Sequence, residues 1–503
     1  MKKNAKEENS MNYYLGLDQG TTGVTAMLFD EHWQQAGRGY REIRQIYPRS
    51  GWVEHDGVDI WDSACAAVKM AMEAAGAAPS EILCIGLDHE GESVIVWDKV
   101  TGRPLYHAIV WQDRRTAQAA EELAAQHGDF IRIHTGLAVD SYFSALKLRW
   151  LLDNVPEVKE ALAQGRLLAG NMDAWLAWNI TGGAHVTDPS TASRTMLMNL
   201  HTCDWDEEVL SLLEIPRQIL PQIHDSASAF GAADPDRFCG IRAPVSGLMN
   251  DQQAALFGQA CFDEGSVKTT YGTGCFMLMN TGERPVLSPN GLVTTVAWRM
   301  REKAVYALDG GIYISGAATQ WLRDGLKIIS SAAETESMAY AAGDNGGVYF
   351  VPAFTGLAAP HWDSGARGMM IGITGGTTRE HIVRATLEST AYQVYDLLQV
   401  MRQDSGTEIP VMRCDGGATA NSFLMQFQAD ILGIPIHIPA ITETTALGAA
   451  FMAALGAGYH QRPKELRNCW QLQRCYEPQM SRDQREFLLQ QWHHAVERAK
   501  CWE

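Results

Sequence analysis

The chain has 503 residues, and its 41 lysines and arginines against 59 aspartates and glutamates leave a formal charge of −18, which excludes a general affinity for nucleic acid or an anionic membrane surface. No apolar run approaches the ~20 residues of a membrane-spanning helix, and Met1–Ser10 is polar without a signal-peptide core, so a cytoplasmic protein with no membrane partner is expected. The ten cysteines are scattered without a CxxC pair, which argues against a disulfide framework or a structural metal.

Residues 1–11 read as a disordered leader. Two strand-like runs, Tyr13–Leu17 and Val24–Phe29, then flank a polar turn holding Asp18, Gly20, Thr21, Thr22 and Gly23, which predicts a β-hairpin with a tip of backbone and small hydroxyls. No GxxxxGK[ST] follows, and strand rather than helix comes after the glycines, so this is neither a P-loop nor a dinucleotide fingerprint. An amphipathic helix is expected over Ile60–Ala75. A short apolar run, Ile82–Leu87, ends in the polar cluster Asp88, His89, Glu90, Gly91, Glu92, Ser93 before a second strand, Val94–Trp97. Polar groups crowded at a strand end suit either a solvated turn or a substrate site.

Ala108–Thr116 runs from strand into a helix through Gln126, with Trp111 at the junction. Helices are predicted at Tyr142–Trp150 and Asn171–Gly183, strand and turn at Pro189–Met198, and an irregular connection with little chemistry between Pro216 and Pro244. Pro244–Asn250 reads as a strand leading into a helix that opens at Asp251, a carboxylate placed equally well for a cap and for a general base.

Thr269–Asn280 repeats the first hairpin, with Gly272, Thr273 and Gly274 at its tip. Glycine backbone approaches an anion closely and threonine adds donors, so the pair of turns suggests a duplicated phosphate clamp needing no net positive charge. Further on come Ala307–Gly316 leading into the helix Ala317–Leu326, the strand Val411–Cys414, the glycine-rich loop Asp415–Asn421 and the helix Ser422–Leu432. An Ala/Gly-rich helix at Thr445–Gly458 and a charged helix at Arg482–Ala499 follow.

The segments DQGTT, AIVWQDRRT, TDPSTASRTML, DQQAALFGQ, TYGTGCFMLMNTGE, GAATQWLRDGLKII, VPAFTGLAAPHWD and DGGATANSFLMQFQADILG, in this order, resemble the FGGY carbohydrate kinases, closest to their glycerol-phosphorylating branch, over about Tyr13 to Ala499. YFSALKLRW and GMMIGITGGTTREHIVRATLE resemble its two signature regions. The resemblance implies an α/β, two-domain actin-like (ribonuclease H-like) sugar kinase fold, with a cleft between an N-terminal domain at 12–257 and a C-terminal domain at 258–503. It implies phosphate contacts from Asp18, Thr21, Thr22, Gly272 and Thr273, with Asp18 also near Mg2+. ATP contacts extend to Gly316, Gln320, Gly417 and Asn421. Asp251 matches the catalytic base, and Glu92, Trp111, Tyr142, Gln252 and Phe276 match contacts to a small polyol. By analogy such enzymes form homodimers or homotetramers.

Two departures bear on the substrate. The branch carries an Arg-Glu pair where this chain reads HEGES, so Gly91 stands at the arginine position. That exchange is expected to open space beside the acceptor and to leave Glu92 without that arginine as a nearby cation. Thr25 likewise replaces an arginine after the first hairpin. The expected reaction is transfer of the ATP γ-phosphoryl group to a primary hydroxyl of a small polyol. A tetritol or pentulose acceptor, and a non-catalytic ATP-binding protein, are the competing readings.

Overall fold

In the computed structural model, which describes residues 11–502, the first hairpin forms as expected, with strands Tyr13–Gln19 and Gly23–Phe29 paired antiparallel and Gly20 N donating to Gly23 O at 3.0 Å. The expected leader lies outside the described residues except for Met11. The chain divides into two units. The first comprises residues up to Ala260 with Thr295–Val305 and Thr444–Cys469; the second comprises Cys261–Thr294, Tyr306–Glu443 and Trp470 onward. A single cut after residue 257 therefore leaves three segments, Gly258–Ala260, Thr295–Val305 and Thr444–Cys469, on the other side from the unit they pack with.

The first unit is built on a six-stranded sheet in the order Ala227–Ala232, Pro244–Asn250, Ile82–His89, Tyr13–Gln19, Gly23–Phe29, Gln35–Glu42. Pro244–Asn250, Ile82–His89 and Tyr13–Gln19 run parallel, and the outer strands pair antiparallel. Gly16, Gly86 and Gly247 are register neighbours across the three parallel strands. A Cβ on any of them would strike the backbone of the helix Thr444–Gly456: Ala446 O at 2.1 Å, Ala449 O at 2.0 Å, Ala453 N at 2.5 Å. The Ala/Gly-rich helix read from the sequence thus lies backbone to backbone on this sheet. Only side-chain-free positions allow that approach, which explains why a segment so late in the chain belongs to the first unit.

The second unit has a sheet containing Lys303–Ile312, Cys275–Gly282, Val267–Tyr271, Met412–Asp415, Ile436–Pro439 and Leu472–Tyr476 in that order. Its pairing repeats the first: an antiparallel meander followed by two parallel strands. The 27-residue helix Arg379–Ser405, with Ser422–Leu432 and Arg482–Ala499, buries this sheet around Tyr271, Tyr392, Leu397 and Trp492, with the Tyr392 and Trp492 rings stacked at 5.2 Å.

Two local expectations are corrected. Pro189–Met198 begins as a helical turn rather than a strand, because buried Asp188 accepts from Ser190 N (3.0 Å) and Thr191 N (2.9 Å) and caps it. The region between Pro216 and Pro244 is not merely irregular. Ala227–Ala232 is an edge strand whose register shifts before Gly231 (φ 144°), and that shift breaks the alternation that would have marked it.

Candidate active site

The polar cluster after Ile82–His89 is a buried site. Glu90, Glu92 and Ser93 are each at most 3% exposed, and Glu92 sits at φ 64°, a left-handed conformation that costs a non-glycine residue strain and marks functional loops. Arg194 Nε donates to Glu92 Oε1 at 2.6 Å, both side chains being 4% exposed. The Arg194 guanidinium also lies over the rings of Tyr142 (5.8 Å) and Phe143 (5.6 Å). Glu92 thus has a cation, but not from position 91: the guanidinium comes from the ASRTM segment. Arg194 was visible in the sequence only as part of a matching stretch, because its partner is 102 positions away and nothing local marks it.

The direction a side chain at position 91 would take is occupied by Asn250: a Cβ there would lie 2.2 Å from Asn250 Oδ1. Burial pushes the Glu92 carboxyl up to about 7, against the opposing pull of Arg194 and with a further push from Asp251. Asp251 thus shares the neighbourhood of Glu92. It is the first residue of the helix Asp251–Gly258 and is half-buried. Its Oδ1 accepts from Gln252 N (2.6 Å) and Asn250 Nδ2 (3.1 Å), and its Oδ2 from Gln252 Nε2 (3.1 Å). A carboxylate held by that many donors is fixed in orientation, as an acceptor of a proton must be.

Trp111 and Tyr142 close the cluster with rings edge to face at 5.7 Å. Tyr142 is fixed from beneath: fully buried Lys147 donates Nζ to the carbonyls of Ser141 (2.8 Å), Tyr142 (2.5 Å) and Phe143 (3.2 Å). Burial draws the Lys147 ammonium down to about 7. Trp111 Nε1 donates to Thr21 Oγ1 at 3.0 Å, tying the cluster to the hairpin tip. The Thr21 hydroxyl, expected on phosphate, is thus already engaged, whereas Thr22 is exposed. Asp18 accepts from Thr445 Oγ1 at 2.8 Å and stands in register beside Asp88 on the neighbouring parallel strand, an all-oxygen pair suited to a hard divalent cation.

The other expected nucleotide groups lie in the second unit. Gly272 N donates to Gly274 O (2.9 Å), and the helix Gly316–Asp324 begins on that tip, with Gly316 N donating to Gly272 O (3.1 Å) and Ala317 N to Thr273 O (3.0 Å). A Cβ on Gly316 would lie 2.6 Å from Gly272 O, which requires glycine there. Gln320 is on the same helix. Gly417 opens a 3-10 turn with no atom within 4 Å of a would-be Cβ, and Asn421 caps the next helix by accepting from Leu424 N at 3.0 Å. Phe276, expected on the polyol, is half-buried beside Gly311 in this unit. Gly91, Glu92, Trp111, Tyr142, Asp251 and Gln252 all belong to the first.

Comparison with known proteins decides the family. The N-terminal domain of the FGGY family of carbohydrate kinases matches residues 13–258 and the C-terminal domain residues 267–457. The chain belongs to the FGGY family of carbohydrate kinases. It is 55% identical over 495 residues to glycerol kinase 2 of Thermotoga maritima, covering 98% of this chain and 100% of that one. It is also 51% identical over 492 residues to a glycerol kinase of Caldanaerobacter subterraneus, covering 97% and 99%. Among solved structures, Plasmodium falciparum glycerol kinase with ADP superposes with a TM-score of 0.92 at 36% identity over 97% of this chain and 98% of that one. As an FGGY kinase, the chain is a phosphotransferase that uses ATP and an alcohol acceptor. Among the described residues, no helix is long and apolar enough to cross a membrane.

Proposed function

We propose that this FGGY kinase transfers the γ-phosphoryl group of ATP to a primary hydroxyl of glycerol in the cytoplasm, with Asp251 as general base. The observation that carries the reading is the meeting of Asp251, the Glu92–Arg194 pair, Tyr142 and Trp111 in one unit. Two carboxylates, one engaged by a guanidinium and one by amides, give a small polyol both a hydroxyl anchor and a proton acceptor. Relatives that are glycerol kinases support the same acceptor. The cation beside Glu92 and the filled space at Gly91 remove the reason to expect a larger one.

In the proposed reaction, Glu92, Tyr142 and Gln252 hold the hydroxyls, and Trp111 and Phe276 line the carbon chain. Asp251 withdraws the proton as the bond to phosphorus forms. Thr22, Gly272 and Thr273 bind the phosphates, Thr21 stands beside them at the hairpin tip, and Gly316, Gln320, Gly417 and Asn421 bind the nucleoside. Asp18 would hold Mg2+, which would supply charge neutralisation on the phosphates and link Asp18 to them. Because the transition state is loose and highly charged, oriented donors and in-line positioning do most of the catalysis. The test is ADP release with glycerol, erythritol, ribulose and xylulose as acceptors. Glycerol is expected to give the highest kcat/KM, and Asp251→Asn to lower kcat by about 10²–10⁴-fold. Turnover of Asp251→Asn within a few-fold of the parent, or a ketose preferred over glycerol, refutes it.

A further inference from the structure

Position 91 points at Asn250, and Asn250 does not do the job its position ordinarily gives an asparagine. It is the N-cap of Asp251–Gly258, where an asparagine oxygen usually accepts a backbone N–H of the first turn, yet it makes no such bond. Its carboxamide is turned the other way. Nδ2 donates to Asp251 Oδ1 (3.1 Å) and to Gln253 Oε1 (2.5 Å). Gln253 presents its oxygen because its own Nε2 donates to Thr295 Oγ1 (3.0 Å), which is bonded to Ser193 Oγ (2.7 Å). With nitrogen between two oxygens, the orientation of the Asn250 amide is fixed. Oδ1 is left against Gly91, buried and without a hydrogen bond from any described residue. A buried carbonyl left unbonded is costly, so the amide is held there by what its nitrogen does.

The relay Ser193–Thr295–Gln253–Asn250–Asp251 lies within one unit and is buried up to Asn250. It starts beside Arg194, which grips Glu92. One short segment therefore anchors both carboxylates of the acceptor site. We propose that Asn250 is a positioning residue for Asp251, and that position 91 must be glycine because Asn250 takes the space a side chain there would need. The proposal rests on Asp251 being the base.

The test combines kinetics with a double-mutant cycle. Asn250→Ala is expected to lower kcat roughly ten- to hundredfold, the range for losing a buried hydrogen bond to a charged group, while KM for ATP stays unchanged. Loss of a donor to the carboxylate raises its pKa, so the acid limb of kcat moves to higher pH, which a merely structural role would not cause. Asn250→Ser, too short to bridge both oxygens, carries the same expectation should alanine unfold the protein. Gly91→Ala is expected to cost activity and Tm in the parent, and to cost much less in the Asn250→Ala background. An acid limb that does not move, or a Gly91→Ala cost equal in both backgrounds, overturns the proposal. Asp251→Asn separates the two failures: if it abolishes turnover while Asn250→Ala changes nothing, only this proposal falls.

Discussion

The two units carry sheets of the same pairing pattern and opposite chemistry. In each, an antiparallel meander adjoins two parallel strands, and a hairpin with a Gly/Thr tip stands at the ends of the central pair. In the first, the strand ends carry charge: Asp18 beside Asp88, then Glu90, Glu92 and Asp251, with Arg194 and Lys147 buried among the last. In the second, the comparable register places Thr270 beside Asp415, and the groups proposed to meet the nucleotide are backbone, at Gly272, Gly316 and Gly417. A duplicated framework can thus split its labour. Buried charge demands many partners and fixes one acceptor geometry, whereas glycine backbone accommodates a large polyanion by closeness alone.

The comparison breaks most sharply at Arg194. Replacing it by leucine leaves Glu92 buried with its cation removed, a change that costs about 3–5 kcal/mol when a buried pair is broken. Glu92 then takes up a proton and loses the charge that strengthens its acceptance from a substrate hydroxyl. The expected outcome is a loss of two or more orders of magnitude in kcat/KM for glycerol, of order 3 kcal/mol, with nucleotide affinity retained. Steady-state kinetics with each substrate varied checks it, and equal loss of affinity for ATP and glycerol refutes the division of labour.

Arg194 also shows where sequence reading stops. Both hairpins, the Asp251 helix and the Ala/Gly-rich helix were legible because each is a local pattern: alternation, a turn residue, an apolar stripe. The Glu92–Arg194 bond and the Ser193–Thr295–Gln253–Asn250 relay span about a hundred positions or leave only ordinary residue types behind. The effect of Gly91 was misread for the same reason. A glycine in place of arginine looks like vacated space until Asn250, from a distant strand end, is seen to fill it.

A smaller effect sharpens the second unit's side. The nearest atom to a Cβ on Gly272 is Gly274 O at 3.8 Å, so alanine fits the fold without strain. If the tip works by bare backbone approach, Gly272→Ala keeps the parent Tm yet raises KM for ATP by about tenfold, roughly one hydrogen bond to a charged group, and leaves KM for glycerol alone. A drop in Tm with unchanged KM would assign this glycine to folding instead.

The smallest expected effect is a pH dependence confined to the first unit. Glu92, raised by burial to about 7 from an ordinary 4.5, keeps its proton in the folded chain over a range where the unfolded chain has lost it. Its stabilising contribution is therefore complete below 4.5 and is lost as pH rises towards 7. Lys147, lowered by burial to about 7 from 10.5, works in the other direction: its contribution is complete above 10.5 and is lost as pH falls towards 7. Both groups thus weaken the fold most near neutrality, where the charged Glu92 proposed to bind a hydroxyl becomes available. Glu92→Gln removes one of the two components, so the difference in Tm between parent and variant should grow from pH 5 to pH 7. The rise of kcat/KM for glycerol through about pH 7 should flatten in the same variant. A Tm difference that does not change with pH would mean that Glu92 is ionised throughout, leaving Arg194 to outweigh burial.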